Sequence, residues 1–344
     1  MRILLGMSGG LDSTYAAVKL REEGHIVEGA VLLMHNYTDV AAAREAAESL
    51  GIPLHEIDCR KRFSDIVIPN FIDEYIAAHT PNPCVVCNSE VKFRVLCDYA
   101  VENGFDKIAT GHYAKIVERN DENGTVYAVS RAIDTKKDQT YVLWRLGQDI
   151  LKMLYFPLGD SIKKDIREKS LASGIKAADR EESQEICFIP SGDYAGFIEE
   201  RKGKSAPGDF VDAEGNILGK HNGIIRYTLG QRKGLGIALG ARAFVTDIDP
   251  IENKITLSFS AKESSSLKAY GVVFSGMRPP KSELELELFA KVRYLAPPVK
   301  SRVVFHADST ATVYLLQPAR SITPGQSVVF YDGDTIVAGG FISR

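Results

Sequence analysis

The sequence predicts an α/β protein whose first half is a doubly wound parallel sheet and whose second half is β-rich, ending in a small barrel. Two observations predict it. Over the first hundred residues apolar strand-like runs alternate with helix-like segments, punctuated by Gly and Pro, which is how consecutive βαβ units read. From about Gly203 the texture changes, with Gly, Pro and Asp recurring between short apolar runs, and from about Leu267 the alternation has period two.

The elements follow in order. Residues 2–7 are a short apolar run. Residues 12–23 carry Tyr15, Ala16, Val18 and Leu20 at helical spacing and stop at Gly24. Residues 26–34 form a second apolar run, 41–50 a helix closed by Gly51, 54–59 a third strand and 62–78 a longer helix. Pro81 and Pro83 break that helix, because proline lacks a donor and restricts the residue before it. Residues 89–103 form another helix ended by Gly104, and 107–110 a further strand. Asp160 is placed to cap a helix over 163–173. In the last segment 283–294, 301–316 and 326–331 alternate as strands, and Asp332-Gly333 is a hairpin turn before a strand at 335–342. Boundaries fall near 195 and 265, giving units at 1–195, 196–264 and 265–344.

Composition narrows the class. Hydrophobic residues make 44% and charged residues 25% of the chain, which excludes disorder and a coiled coil. No run of 18 apolar residues occurs, so no membrane-spanning helix is expected. The first ten residues, MRILLGMSGG, are too short in their apolar part for a secretory signal and read as a buried strand. The net charge of −3 excludes a uniformly basic coat, but residues 1–197 carry −7 (23 − 30) while 198–245 (8 − 5) and 265–344 (9 − 6) each carry +3. A polyanion would therefore rest on the second half. Five cysteines, Cys59, Cys84, Cys87, Cys97 and Cys187, are an odd and sparse set that points to a reducing cytoplasm.

Three motifs carry chemistry. Gly6, Met7, Ser8, Gly9, Gly10, Leu11, Asp12 and Ser13 join the first strand to the first helix. Glycines let the backbone turn sharply, and free N–H groups at the helix start with the Ser8 and Ser13 hydroxyls make an anion cradle. The lysine of a kinase-type phosphate loop is absent. Ser-Gly-Gly-x-Asp-Ser resembles instead the PP-loop of the ATP pyrophosphatases, a HUP-like fold, which implies AMP transfer to a substrate oxygen; Asp12 would hold Mg²⁺ or orient the loop. The second motif, Asn82-Pro83-Cys84-Val85-Val86-Cys87, sets a C-x-x-C at a loop-to-helix junction, where backbone N–H groups and the helix dipole lower a thiol pKa. The spacing equally suits one corner of a zinc or iron–sulfur site. Cys59 and Cys97 are read as small buried apolar residues. The third motif is Ser183-Gln184-Glu185-Ile186-Cys187-Phe188. The glycines from Gly234 to Gly240 lack dinucleotide-fingerprint spacing, whereas Arg232 and Lys233 are expected to meet phosphate.

Taken together with Met34, Gly111-His112-Tyr113-Ala114, Lys137-Asp138-Gln139-Thr140, Thr228-Leu229-Gly230-Gln231-Arg232-Lys233-Gly234, Val292-Arg293-Tyr294 and Pro324-Gly325-Gln326, these segments resemble the tRNA 2-thiouridylase family, in its order and over nearly the whole chain. The family installs sulfur at position 2 of the wobble uridine. The resemblance implies that Gly6 to Ser13, Met34 and Gly111 bind ATP, that Cys87 is the nucleophile and that Cys187 carries a persulfide. It implies that Asn82, Pro83 and Cys84 face the target base, while His112, Lys137, Asp138, Gln139, Arg293, Tyr294 and Gln326 touch tRNA. It also implies a cytoplasmic protein supplied with sulfur by a cysteine desulfurase or a relay protein. Arg293 and Tyr294 would lie on alternating faces of one strand, so both face tRNA only if a bulge or a strand end presents them. Many family members have Asp where this chain has Cys84. Three thiols, Cys84, Cys87 and Cys187, would also suit a 4Fe–4S cluster with one open iron, an alternative to the persulfide route. Only Tyr37, Thr38, Asp39 and Val40 separate the second strand from its helix, which predicts less cover over the ATP site.

Overall fold

The structure is a computed structural model that describes residues 1–173, 175 and 186–344. Ser183, Gln184 and Glu185 of the third motif lie outside the described residues. The chain opens with β1 (Arg2–Gly6), α1 (Leu11–Glu22), β2 (Ile26–Leu33), α2 (Val40–Leu50), β3 (Leu54–Asp58), α3 (Arg60–Ile76), α4 (Pro83–Cys87), α5 (Phe93–Glu102) and β4 (Lys107–Thr110). It continues with β5 (Ala114–Asp121), β6 (Gly124–Arg131), α6 (Gln148–Leu151), β7 (Leu154–Tyr155) and α7 (Lys163–Ala172). Strands β3-β2-β1-β4-β7 form one sheet in that order, every neighbouring pair parallel. Ile3, Leu4 and Leu5 are wholly buried, which is why β1 reads as an unbroken apolar run rather than an alternating one. The strand order turns back between β1 and β4, so the carboxyl ends of β1, β2 and β4 border one crevice.

After α8 (Tyr194–Lys202) come β8 (Gly208–Val211), β9 (Ile217–His221), β10 (Phe244–Asp249) and β11 (Lys254–Ser258), a four-stranded sheet in the order β10-β11-β8-β9. The last segment holds β12 (Glu263–Val273), β13 (Leu284–Lys291), β14 (Val299–Phe305), β15 (Ala311–Arg320), β16 (Ser327–Asp332) and β17 (Thr335–Ile342). They run β12-β15-β14-β13-β16-β17, and β12 pairs back onto β17, closing a six-stranded antiparallel barrel. Among the described residues no helix is long and apolar enough to cross a membrane.

The expected α/β fold with a terminal barrel is present, with informative departures. The β5–β6 hairpin was not foreseen. It leaves the parallel sheet and joins the barrel through Ser130 of β6 opposite Thr335 of β17. The segment behind it docks on the same strands. Trp144, wholly buried, donates from Nε1 to Ser327 Oγ at 2.9 Å, and Tyr141 OH donates to the Ser327 carbonyl at 2.7 Å. A Cβ on Gly339 would lie 2.6 Å from the Trp144 ring, so only glycine admits the indole there.

Three local expectations are corrected. Asp160 does not cap α7: Ile162 holds the N-cap position, Asp134 Oδ2 accepts the Lys163 N–H at 2.9 Å, and Asp160 pairs with Lys115 at 2.5 Å. The run over 301–316 is two strands, because His306 N–H bonds Thr310 O and the chain reverses there. The helix expected over 89–103 begins as a π-turn at Asn88–Lys92 and becomes α-helical only at Phe93.

Trp144→Ala is expected to cost about 3–5 kcal/mol, the range for a buried aromatic truncated in a core that cannot collapse. Urea unfolding followed by fluorescence of the tyrosines and by circular dichroism checks it. A loss below about 1 kcal/mol would contradict this docking.

Candidate active site

Gly6 ends β1, and the loop that follows reaches α1 without a side-chain cap: Gly10 holds the N-cap position, so no side chain occupies the first-turn N–H groups. Those donors and the positive end of the helix dipole face the crevice. The two serines brace the loop. Ser8 N–H donates to Ser13 Oγ at 3.2 Å, the hydroxyls stand 3.3 Å apart, and Ser13 Oγ donates to Gly10 O at 3.1 Å. Gly9 has φ +75, and a Cβ there would sit 2.3 Å from the Ala42 carbonyl carbon, so α2 packs straight onto the loop. Gly111 is the second close approach. Its missing Cβ would lie 2.8 Å from Asp12 C and Ser13 N, which lays the turn after β4 flat on the start of α1. The structure therefore gathers the expected ATP residues from three strand ends: Gly6 to Ser13 after β1, Met34 after β2 and Gly111 after β4.

Asp12 is already engaged. Its Oδ1 accepts from Lys163 Nζ at 2.6 Å and from Tyr113 OH at 2.8 Å. Sequence reasoning missed Lys163, which is 8% exposed. The signal was present: a cation in the first turn of a helix opposes the dipole, so Lys163 at the start of α7 implies a nearby anion.

The cysteines sit on the neighbouring side of the crevice. Asn82 caps α4, its Oδ1 accepting Cys84 N–H at 3.2 Å, and Pro83 fills the first helical position. Cys84 in the first turn is exposed, whereas Cys87 in the last turn is 8% exposed. Cys87 thus sits at the far end of the helix from its free N–H groups. Burial pushes the Cys87 thiol up to about 12, the reverse of the lowered pKa expected from the motif. Cys87 Sγ lies 3.7 Å from Met34 Sδ, so Met34 joins the nucleotide crevice to the thiol. Cys187 is exposed, and its thiol too is pushed up, by burial first and by Cys84 next. Cys87 in turn feels Cys187 and Cys84, so a residue one hundred positions away shares its surroundings. Phe188 brings it there, packing edge-on against Phe63, Phe71 and Phe197 at centroid distances of 5.4, 5.3 and 5.5 Å. Cys59 and Cys97 are buried, Cys59 with its thiol up at about 11, as their structural reading requires.

The chain matches three family models end to end: the tRNA methyl transferase HUP domain over residues 1–191, the tRNA methyl transferase PRC-barrel domain over 195–258 and the aminomethyltransferase β-barrel domain over 264–342. It is 45% identical to a tRNA-specific 2-thiouridylase MnmA of Clostridium botulinum, covering 99% of this chain and 98% of that one. It is 40% identical to the tRNA-specific 2-thiouridylase MnmA of a Roseiflexus species, covering 100% and 99%. The chain belongs to the tRNA-specific 2-thiouridylase family. Among solved structures, a 4-thiouridine synthetase–RNA complex with bound ATP is similar at 16% identity and a TM-score of 0.36, over 55% of this chain and 45% of that one.

In this thiouridylase the residues expected to touch tRNA fall into two groups. Tyr294 is 39% exposed and close enough to Cys84 and Asp138 for each to act on its phenol; burial is the larger influence and pushes the phenol up. It lies beyond the end of β13, not within a strand, so the alternating-face objection does not apply. Arg293 beside it turns inward, where its Nη2 donates to Ser321 O and, at 2.8 Å, to Thr323 Oγ1. Asp138 is 8% exposed and accepts Thr140 Oγ1 at 2.9 Å, and Gln139 Oε1 accepts Tyr113 N–H at 2.9 Å. Both side chains are bonded within the chain. Lys137 lines an open hollow with Lys136, Lys164 and Arg167. His112 is packed between Phe93 and Phe156 with Thr110 Oγ1 2.7 Å from its Nδ1, and burial keeps it neutral. Gln326 Nε2 donates to Thr80 O at 2.7 Å, Thr80 N–H donates to Pro324 O at 2.9 Å, and Thr80 Oγ1 bonds Thr228 Oγ1 at 3.3 Å. The loop leading to the cysteines is thereby held by all three parts of the thiouridylase.

Gly111→Ala is expected to push the first turn of α1 out of place and lower tRNA-dependent pyrophosphate release by about 10²-fold, the scale of a ~1 Å misplacement of reacting groups. Unchanged pyrophosphate release would show that the turn does not support the triphosphate.

Proposed function

We propose that this 2-thiouridylase acts on the wobble uridine of tRNA, using ATP to activate the base and Cys187 and Cys87 to deliver sulfur. One observation carries the proposal: a buried and an exposed cysteine from distant segments share one environment beside Met34, at the edge of an uncapped glycine loop. The uridine C2 carbonyl is a poor electrophile. Its oxygen attacks the α-phosphorus of ATP, pyrophosphate leaves, and AMP on O2 becomes a leaving group. The terminal sulfur of a Cys187 persulfide adds to C2 and AMP departs, giving C2–S–S–Cys187. The Cys87 thiolate then attacks Cys187 Sγ. The sulfur–sulfur bond to the base breaks, its electron pair stays on the base sulfur as 2-thiouridine, and a Cys87–Cys187 disulfide forms. An external thiol returns both cysteines to the reduced state, and a persulfide-bearing protein (a cysteine desulfurase or a relay) reloads Cys187. A reducing cytoplasm suits five cysteines that are all unpaired at rest.

The target base must leave the anticodon stack to reach Cys84 and Cys87. Tyr294 offers an aromatic surface beside Cys84, and the exposed Arg232 and Lys233 offer phosphate contacts. Of the two roles expected of Asp12, holding Mg²⁺ or orienting the loop, the second fits better, because its Oδ1 is occupied by the Lys163 ammonium and the Tyr113 hydroxyl. A 4Fe–4S cluster fits less well. Among the described residues no three His, Cys, Asp or Glu side chains are grouped to hold a metal, and Cys87 presents its sulfur to Met34. The persulfide route is therefore the one adopted. The catalytic unit is assigned to 1–195, with 196–264 and 265–344 as the tRNA-facing parts.

Cys87→Ser and Cys187→Ser are each expected to abolish 2-thiouridine formation while leaving tRNA-dependent pyrophosphate release intact. Nucleoside mass spectrometry and a pyrophosphate assay on the same samples decide it; amidation or any other thiol-independent reaction would survive both changes. Protein purified without oxygen, free of iron and fully active with a persulfide donor, would settle the choice of route, and iron-dependent activity would reverse it. Binding to tRNA should weaken steeply with salt, and a flat response would remove the phosphate contacts assigned to the second half.

A further inference from the structure

The reaction proposed above asks a buried thiol to become a nucleophile, and it leaves Lys92 without a role. The Cys84–Cys87 helix does not run straight into α5. Residues Asn88–Lys92 form a π-turn, with Phe93 N–H donating to Asn88 O. In an α-helix, at ~100° per residue, a side chain five positions on lies ~140° round the axis. An i→i+5 turn holds more residues than the 3.6 of an α-helical turn, so five residues overshoot one revolution by less. The π-turn therefore swings Lys92 back toward the side of the helix that carries Cys87. The distortion has a local cost, because the Oδ1 of buried Asn88 has no hydrogen-bond partner among the described residues, and only its Nδ2 is used, donating to Val142 O at 2.9 Å.

Lys92 is half-buried, and among the described residues no carboxylate lies within ion-pair distance of it. The acid beside it, Glu90, is taken by Arg145 at 3.3 Å. Around Cys87 stand Cys84 of its own helix and Cys187 and Cys59 from other segments, and each of them opposes a negative sulfur. Lys92 is the cation that favours one, and the same ammonium acts on Cys187. His112 also feels it and, being neutral, brings no second positive charge.

We infer that Lys92 is the electrostatic positioning residue of the sulfur relay, its ammonium standing as shared counter-ion to the sulfur of Cys87 as it attacks and to that of Cys187 as it is attacked. The inference rests on the reading of Cys87 and Cys187 given under the proposed function. Lys92→Met keeps the stem and removes the charge, Lys92→Gln is a second neutral variant, and Lys92→Arg keeps the charge.

The test follows iodoacetamide alkylation of Cys87 and Cys187 against pH in the full-length protein, resolved by peptide mass spectrometry. TRNA-dependent pyrophosphate release and 2-thiouridine yield are measured in parallel. For Lys92→Met and Lys92→Gln, pyrophosphate release should stay at the wild-type rate, which also shows that the variants are folded. Alkylation of Cys87 at pH 8 and 2-thiouridine formation should each fall about tenfold, the effect of one pKa unit. Lys92→Arg should restore most of both. Alkylation profiles that superimpose on the wild type, or an arginine variant as impaired as the neutral ones, would overturn the inference. If Cys87→Ser still made 2-thiouridine, the underlying reading would fail whatever Lys92 does. If Cys87→Ser were inactive while Lys92→Met behaved as wild type, only the inference would fail.

Discussion

Everything about the site depends on how Thr80 is held. A loop between two helices is ordinarily the mobile part of a domain, yet in the proposed reaction this one has to set Cys84 and Cys87 beside a base with small tolerance. Its backbone N–H and C=O are both taken by the terminal unit, at Pro324 and Gln326, and its hydroxyl by Thr228 of the middle unit. Gly325 makes the approach feasible, because any Cβ there would meet His79 at 2.8 Å. Loops from three parts of the chain thus agree on the position of a single residue, and the cysteine helix starts three residues later.

The chemistry exploits a tension between burial and charge. In the proposed route the attacking thiol has to be kept from stray oxidants and disulfides until its step, and the apolar surroundings of Cys87 do that. The same surroundings make its thiolate costly, with the thiol up at about 12. Cys187, which in the proposed route would meet an outside donor, is exposed while Phe188 next to it is anchored in a cluster of rings. One cysteine is guarded and one is presented, and each location suits its step.

Much of this was legible beforehand, and the limits have physical causes. The parallel sheet was readable because strands buried on both faces give unbroken apolar runs, and the glycine loop because Gly9 and Gly111 tolerate no side chain. The pairing of Cys87 with Cys187 was not readable from spacing; the family resemblance supplied it. The π-turn left no trace, since its residues have helical composition and only the hydrogen-bond pattern differs. Lys163 was overlooked because its partner, Asp12, lies 151 residues away. Asp138 and Gln139 were expected to touch tRNA, and what spacing could not show is that Asp138 accepts the Thr140 hydroxyl and Gln139 the Tyr113 N–H within their own unit. The β5–β6 hairpin was missed for a similar reason, since its partner strand is two hundred residues downstream.

That hairpin has a consequence for biosynthesis. The surface on which Trp144 and Tyr141 rest is built from β16 and β17, and Gly339 is made 195 residues after Trp144 (339 − 144). At ~5–20 residues per second, a ribosome needs on the order of 10–40 s to cover that distance. During that interval the nascent catalytic half displays an indole, a phenol and an unpaired strand edge with nothing to cover them. The first part of the chain to be made is among the last to be finished.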